Sequence, residues 1–210
     1  MGRLENFKQR GRNRKNKREN PFIVIACEGK TNKTERKYFE NFSSRNCIVR
    51  FSNGSSTDPV GIVEDLINFI DNEIGKVEND KYYAVFDTDL NKNVQSQIEA
   101  AKELAKKNGV EIITSTPTFE FWYILHYGYT TKTYNSSDDV QNDIKTKIEN
   151  YSKNMNIYPS LKDKTEDAID NAKKVEKYHL DLGQALDNEN CNPYTSVYKV
   201  VEELNRRNKN

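Results

Sequence analysis

Glu28 follows an apolar run, Phe22-Ile23-Val24-Ile25-Ala26-Cys27, and Asp87-Thr88-Asp89 follows a second, Tyr82-Tyr83-Ala84-Val85-Phe86. If both runs are neighbouring strands, three carboxylates leave them into one crevice. Partly withdrawn from water, such anions repel one another unless a cation lies between them. Oxygen donors without His or Cys suit Mg²⁺ or Mn²⁺ better than Zn²⁺. An Asp-x-Asp alone is as readily the polar start of a loop; Glu28-Gly29 after another strand turns the reading toward a metal site. Lys30 and Lys33, next in the chain, are placed to meet a substrate phosphate. Glu120 and His126 extend the candidate set. Glu120 could complete a second metal site, or simply complement a helix dipole from its first turn. His126 could give a proton or touch a phosphate, or pack as an aromatic-helix histidine. His179 falls in an apolar helical seam and reads as structural.

The elements that must position these residues are legible as periodicity. Residues 22–27, continuous and β-branched in the middle, fit a strand buried on both faces. Asn32 and Glu35 have capping-box spacing for a helix through Tyr38 and Phe39. Residues 47–51 make a second strand, and Asp58-Pro59 opens a helix whose stripe is Val63, Leu66, Ile67, Ile70 and Ile74. Residues 82–86 are a third strand. Val94, Ile98, Ala101 and Leu104 mark a helix that Gly109 ends, and residues 110–114 a fourth strand closed by Pro117. Helices are then expected over 119–127, through Val140, Ile144, Ile148 and Tyr151, from Leu161 to Leu186, and from Asn192-Pro193 through Leu204. Strands alternating with helices predict an α/β fold, a mainly parallel sheet flanked by helices, with a C-terminal helical extension. Residues 1–20 read as a flexible basic arm and residues 21–210 as one domain, its C-terminal helices spanning about 137–207.

Charge is unevenly spread. Residues 1–18 hold eight Lys or Arg against Glu5 alone, leaving 25 basic and 31 acidic residues in the rest of the 210-residue chain. A basic arm on an acidic body suits a protein that handles polyanions. No apolar run approaches the roughly 20 residues that cross a bilayer. No signal-peptide pattern follows the basic start, so the sequence predicts a cytoplasmic protein without membrane attachment. Cys27, Cys47 and Cys191 are odd in number and lack zinc-finger spacing, which argues against a disulfide framework or a thiolate zinc site.

Glu28-Gly29 after one strand and Asp87-Thr88-Asp89 after another resemble the Toprim domain of primases, topoisomerases and related nucleases. Cys27-Glu28-Gly29, Thr34-Glu35, Tyr38-Phe39, Phe86-Asp87-Thr88-Asp89, Pro117, Phe119-Glu120, Trp122, His126 and Asn192-Pro193 together look like the RloB-like family, over about residues 22 to 205. Residues 30–33 lengthen the family's gap between Glu-Gly and Thr-Glu. The resemblance implies a Toprim-like fold and a metal-dependent nuclease of prokaryotic anti-phage defence; on the residue reading above, Glu28, Asp87 and Asp89 would hold Mg²⁺ or Mn²⁺ and Glu120 would complete a second metal site or only complement its helix. It implies a nucleic-acid substrate (RNA, tRNA included, or DNA), and it leaves room for an ATPase partner. No ATPase machinery lies in this chain: Gly29-Lys30-Thr31 mimics the end of a P-loop, but Val24 stands where its first glycine must be.

Two rival readings stand beside hydrolysis. A glycosyltransferase would use the Asp-x-Asp on a metal–nucleotide-sugar but gives Glu28-Gly29 no role. A non-catalytic module would hold nucleic acid or a partner protein through sheet and arm, and the C-terminal helical seam could join copies into a homo-oligomer. Phe119, Phe121, Trp122, Tyr123 and Tyr127 could stack bases, or pack the junction between sheet and helices.

Deleting residues 1–18 should weaken nucleic-acid binding and flatten its dependence on salt. The cleavage rate at saturating substrate should change little. Filter binding across a salt series checks this, and an unchanged slope would remove the arm from the interface.

Overall fold

A computed structural model describes residues 21–28, 34–88, 92–153, 155–187 and 190–209. The arm, Lys30, Asn32, Lys33 and Asp89 lie outside them. Four strands form the parallel part of the sheet: β1 (Phe22–Cys27), β2 (Ile48–Phe51), β3 (Lys81–Asp87) and β4 (Val110–Thr116). A two-residue β5 (Tyr194–Thr195) joins β4 antiparallel, giving the order β2-β1-β3-β4-β5. Along the chain these alternate with α1 (Thr34–Glu40), α2 (Pro59–Phe69) and α3 (Lys92–Asn108). The later helices are α4 (Phe121–Leu125), α5 (Ser137–Lys145), α6 (Tyr158–Leu161), α7 (Thr165–Asp181) and α8 (Val197–Lys209). The protein is therefore mixed α/β with a mostly parallel five-stranded sheet.

Both faces of that sheet are covered, as unbroken apolar strands require. Val24, Ala26, Ala84 and Phe86 pack with Ile62, Leu66, Ile98 and Ala101 of α2 and α3. Ile23, Ile25, Tyr83, Val85 and Ile113 face the larger core, built with α1, α4, α5, α7 and α8. Asp58 caps α2 by accepting the Gly61 amide at 2.9 Å, with Pro59 in the first turn. Beyond Phe69 the helix widens into a π-turn, Ile70–Ile74, and Gly75 at φ 66° ends it. Gly109, at φ 68°, turns α3 directly into β4.

Three expected elements are corrected. The helix drawn through Ile148 and Tyr151 stops at Lys145. Both side chains are buried beyond its end, so an apolar period continued past the helix that began it. The long helix expected from Leu161 to Leu186 is α6, a 3₁₀ turn and α7, and it ends at Asp181 with Gly183 at φ 71°. Asn192-Pro193 opens no helix: its peptide is cis, β5 follows, and α8 starts at Val197. No helix among the described residues is long and apolar enough to cross a membrane.

Asp80 fixes the start of the central pair. Its carboxylate accepts from the Phe22 amide at 2.8 Å, the Val77 amide at 2.8 Å and the Tyr82 hydroxyl at 2.8 Å. Asp80→Ala strands three donors and should lower the free energy of unfolding by roughly 2–3 kcal/mol, measured by urea denaturation.

Candidate active site

β1 and β3 are parallel neighbours, from Ile23 opposite Lys81 to Cys27 opposite Val85. The chain leaves β1 toward β2 on one side and returns to β3 on the other, so the crossovers diverge between these strands. In open α/β sheets ligands settle outside the carboxyl ends at such a switch point. Glu28 and Asp87 stand there. By strand alternation Asp87 continues the row of Tyr83 and Val85, whereas Glu28 continues that of Val24 and Ala26. Glu28 therefore leaves β1 on the face opposite Asp87, and among the described residues it does not join Asp87 and Glu120 in a group able to hold a metal ion.

Around Asp87 the structure assembles a buried oxygen cluster. β4 ends at Thr116, the Thr116–Pro117 peptide is cis, and Thr118 follows. Its hydroxyl lies 2.9 Å from Asp87 Oδ2 and 2.5 Å from Glu120 Oε2. Thr34, first residue of α1, donates to Glu120 Oε1 at 3.4 Å. Thr88 continues the tie to β4, its amide to the Ser115 carbonyl and its hydroxyl to Thr116. Glu120 is only 2% exposed. It shows no ion pair with a cationic side chain among the described residues.

Proton counting constrains this cluster. A threonine hydroxyl has one proton to donate, yet Thr118 Oγ1 lies within hydrogen-bond distance of two carboxyl oxygens. Thr118 can therefore donate to only one of the two acids at a time. The cluster's neighbours report the negative field. Burial and then the Glu120 carboxylate push the Tyr123 and Tyr151 hydroxyls up. Burial, Glu35 and Asp87 push the Cys27 thiol up, although Arg36 opposes them. The thiol stays protonated, and the donors on offer are carboxylate and hydroxyl oxygens, the set a hard cation takes. Among the described residues no three His, Cys, Asp or Glu side chains form a group able to hold a metal ion. Asp89, which the sequence puts in that group, lies outside them.

His126 belongs to different surroundings. It caps α4, packs edge-on to Trp122 with centroids 4.9 Å apart, and places Nδ1 2.9 Å from the Trp122 carbonyl. That bond makes Nδ1 the N–H and leaves Nε2 an acceptor; Nε2 is buried with no hydrogen-bond partner. The ring lines a cleft with Lys164, Asp167 and Asn171, and none of its hydrogen bonds or ring contacts reaches Asp87 or Glu120. His179 is buried with both ring nitrogens engaged, by Gln184 and the Pro193 carbonyl. The aromatic run is interior: Phe119, Phe121, Trp122 and Tyr123 are buried, so none offers a face to a base.

Sequence reading missed Thr118, which joins the two acids, and the closeness of Tyr151 to Glu120. The one available signal was a small hydroxyl residue between strand-closing Pro117 and Glu120. A model of the family described as RloB-like protein matches residues 23–204. No curated protein and no solved structure matches the chain.

His126 gives the site's surroundings a pH signature. Burial, with Lys164 adding to it, lowers its pKa from 6.5 to about 4 against the opposing Trp122 bond. The unfolded chain thus binds its proton first, and stability falls as pH drops from about 6.5 toward about 4. By pH 5 the loss should reach about 2 kcal/mol relative to pH 7. Urea midpoints at the two pH values should show His126→Phe losing less than wild type.

Proposed function

The chain belongs to the RloB-like protein family, and from that premise we propose that it is a divalent-metal-dependent nuclease hydrolysing phosphodiester bonds in nucleic acid. Its setting in this reading is prokaryotic anti-phage defence, and its sheet is a Toprim-like one. The observation that carries the proposal is the buried Glu120 carboxylate, joined to Asp87 through a single hydroxyl. An anion so placed needs a positive charge beside it. Supporting this are the position of the cluster at the β1–β3 switch point and its all-oxygen donors.

Asp87 and Glu120, with Glu28 and with Asp89 beyond the described residues, would hold Mg²⁺ or Mn²⁺. Such an ion, when bound, neutralises charge on the phosphate and makes a water nucleophilic near neutral pH. The chain's own residues do the rest. Thr118 and Thr34 hold the Glu120 carboxylate in one orientation, and Thr118 does the same for Asp87. Lys30 and Lys33 bring positive charge to the phosphate. An ATPase partner, a homo-oligomer through the C-terminal helices and a cytoplasmic location belong to the same proposal.

Incubation with Mg²⁺ or Mn²⁺ and tRNA, mRNA, and single- and double-stranded DNA tests it. Asp87→Ala and Glu120→Gln should each lose at least about a hundredfold in cleavage rate, and Mn²⁺ titration should show weakened binding. Glu120→Gln should unfold at the same or higher urea concentration than wild type, because its amide can donate to the Thr118 hydroxyl where a carboxylate only accepts. Full cleavage by both variants would remove the strand-end acids from the chemistry.

A further inference from the structure

At the opposite end of the strands a cleft of about 690 Å³ opens among Pro21, Arg45, Asn46, Asn79, Arg206 and Arg207. Pro21 directly precedes β1, Asn46 lies just before β2, and Asn79 just before β3. The cleft therefore sits at the amino edge of the sheet. It is separated from the acids by the six residues of β1, about 20 Å.

Its charge is positive and incompletely neutralised. Glu203 is the carboxylate beside two of its guanidiniums. Arg206 reaches Glu203 Oε1 at 2.7 Å and Oε2 at 2.8 Å, and Arg207 Nε reaches Oε1 at 2.8 Å. Burial works against the Glu203 charge, but the two arginines outweigh it and hold that carboxyl below its ordinary range. Arg45 is exposed and makes no ion pair among the described residues. Arg206 and Arg207 thus share the Glu203 carboxylate, and Arg45 adds a third guanidinium to the cleft wall.

Arg207 is the most rigidly held of the three. It is only 8% exposed, fixed by Glu203 on one side and by the Asn79 carbonyl, 2.5 Å from Nη2, on another. Its buried Nη1 has no hydrogen-bond partner. A guanidinium held this rigidly in the wall of the cleft is a fixed positive charge for an oxyanion there.

We propose that this arginine cleft binds backbone phosphates of a nucleic-acid strand, at a site separate from the strand-end acids. A single anion would neutralise the cleft, but the chain enters it at Pro21 directly after a segment whose residues 1–18 hold eight Lys or Arg. Positive charge in that amount, tethered at the cleft rim, matches a polymer of closely spaced phosphates. The oxyanion chemistry stands on the cleft alone; that the polymer is nucleic acid rests on the hydrolysis proposed above.

The test is fluorescence anisotropy of a fluorescein-labelled single-stranded RNA, and of DNA of the same sequence, with the full chain in EDTA so that no cleavage intervenes. Arg45→Glu and Arg206→Gln alter exposed side chains, and circular dichroism confirms their folding. Together they should weaken binding about tenfold or more and flatten the log–log salt slope by about 1.4, near 0.7 for each phosphate no longer neutralised. An unchanged affinity and slope would overturn the proposal. Displacement of the RNA by an equal concentration of adenosine monophosphate would overturn it too, since the cleft would then be a mononucleotide site. Salt-dependent binding that the arginine variants lose, in a protein that cleaves nothing with Mn²⁺, would sink the hydrolysis and sustain the cleft.

Discussion

Parallel pairing of β1 with β3 sets the place of nearly everything else in this molecule. Both strands are apolar on two faces, so each must be covered by helices on both sides, and each crossover must leave the sheet plane. With β2 outside β1 and β4 outside β3, the two crossovers part company above the central pair. The gap they leave is where Glu28 and Asp87 emerge. A slip of one residue in this register would exchange the Val85–Asp87 row for the Phe86 row and carry Asp87 away from Thr118. Asp80, holding the first amide of β1 from the residue before β3, opposes that slip from the other end.

The second constraint is aromatic. Tyr38 lies 5.5–5.9 Å, centroid to centroid, from Phe39, Phe42, Phe119, Tyr123 and Tyr158, mostly edge-on or tilted. Such contacts contribute about 0.5–1.5 kcal/mol each beyond area burial, and here they join α1 to the segment entering α4. Thr34 and Glu120 ride on those two segments. The aromatic run that could have stacked bases is instead what brings an α1 hydroxyl within reach of a carboxylate 86 residues away.

Local patterns in the sequence make the parallel sheet, its alternating helices and the Asp58-Pro59 and Gly109 boundaries legible. Their determinants are local: a β-branched run, a cap, a glycine at positive φ. The same patterns mislead where an apolar period outlives its helix, at Ile148 and Tyr151, because burial alone does not distinguish a helix face from a loop tucked under it. β5 is invisible, since two residues carry no period. At the site, Asp87 and Glu120 can be named because carboxylates after strands and before helices stand out. Thr118 cannot. Its role depends on the chain's return past Pro117, a long-range geometry that no spacing records. His126 shares a segment with Glu120 in sequence, but packing sends it to a cleft shared with α7.

Acids at one end of the strands and arginines at the other give the two sites opposite local charge along the strand direction. A field of that shape exerts a torque on the protein at separations up to about a Debye length, before any surface meets. A polyanion drifting near would swing the arginine pole toward itself and the carboxylate pole away, so the orientation of the encounter is chosen in solution. Dissolved salt would erase that bias, and what remained would be an unsteered collision.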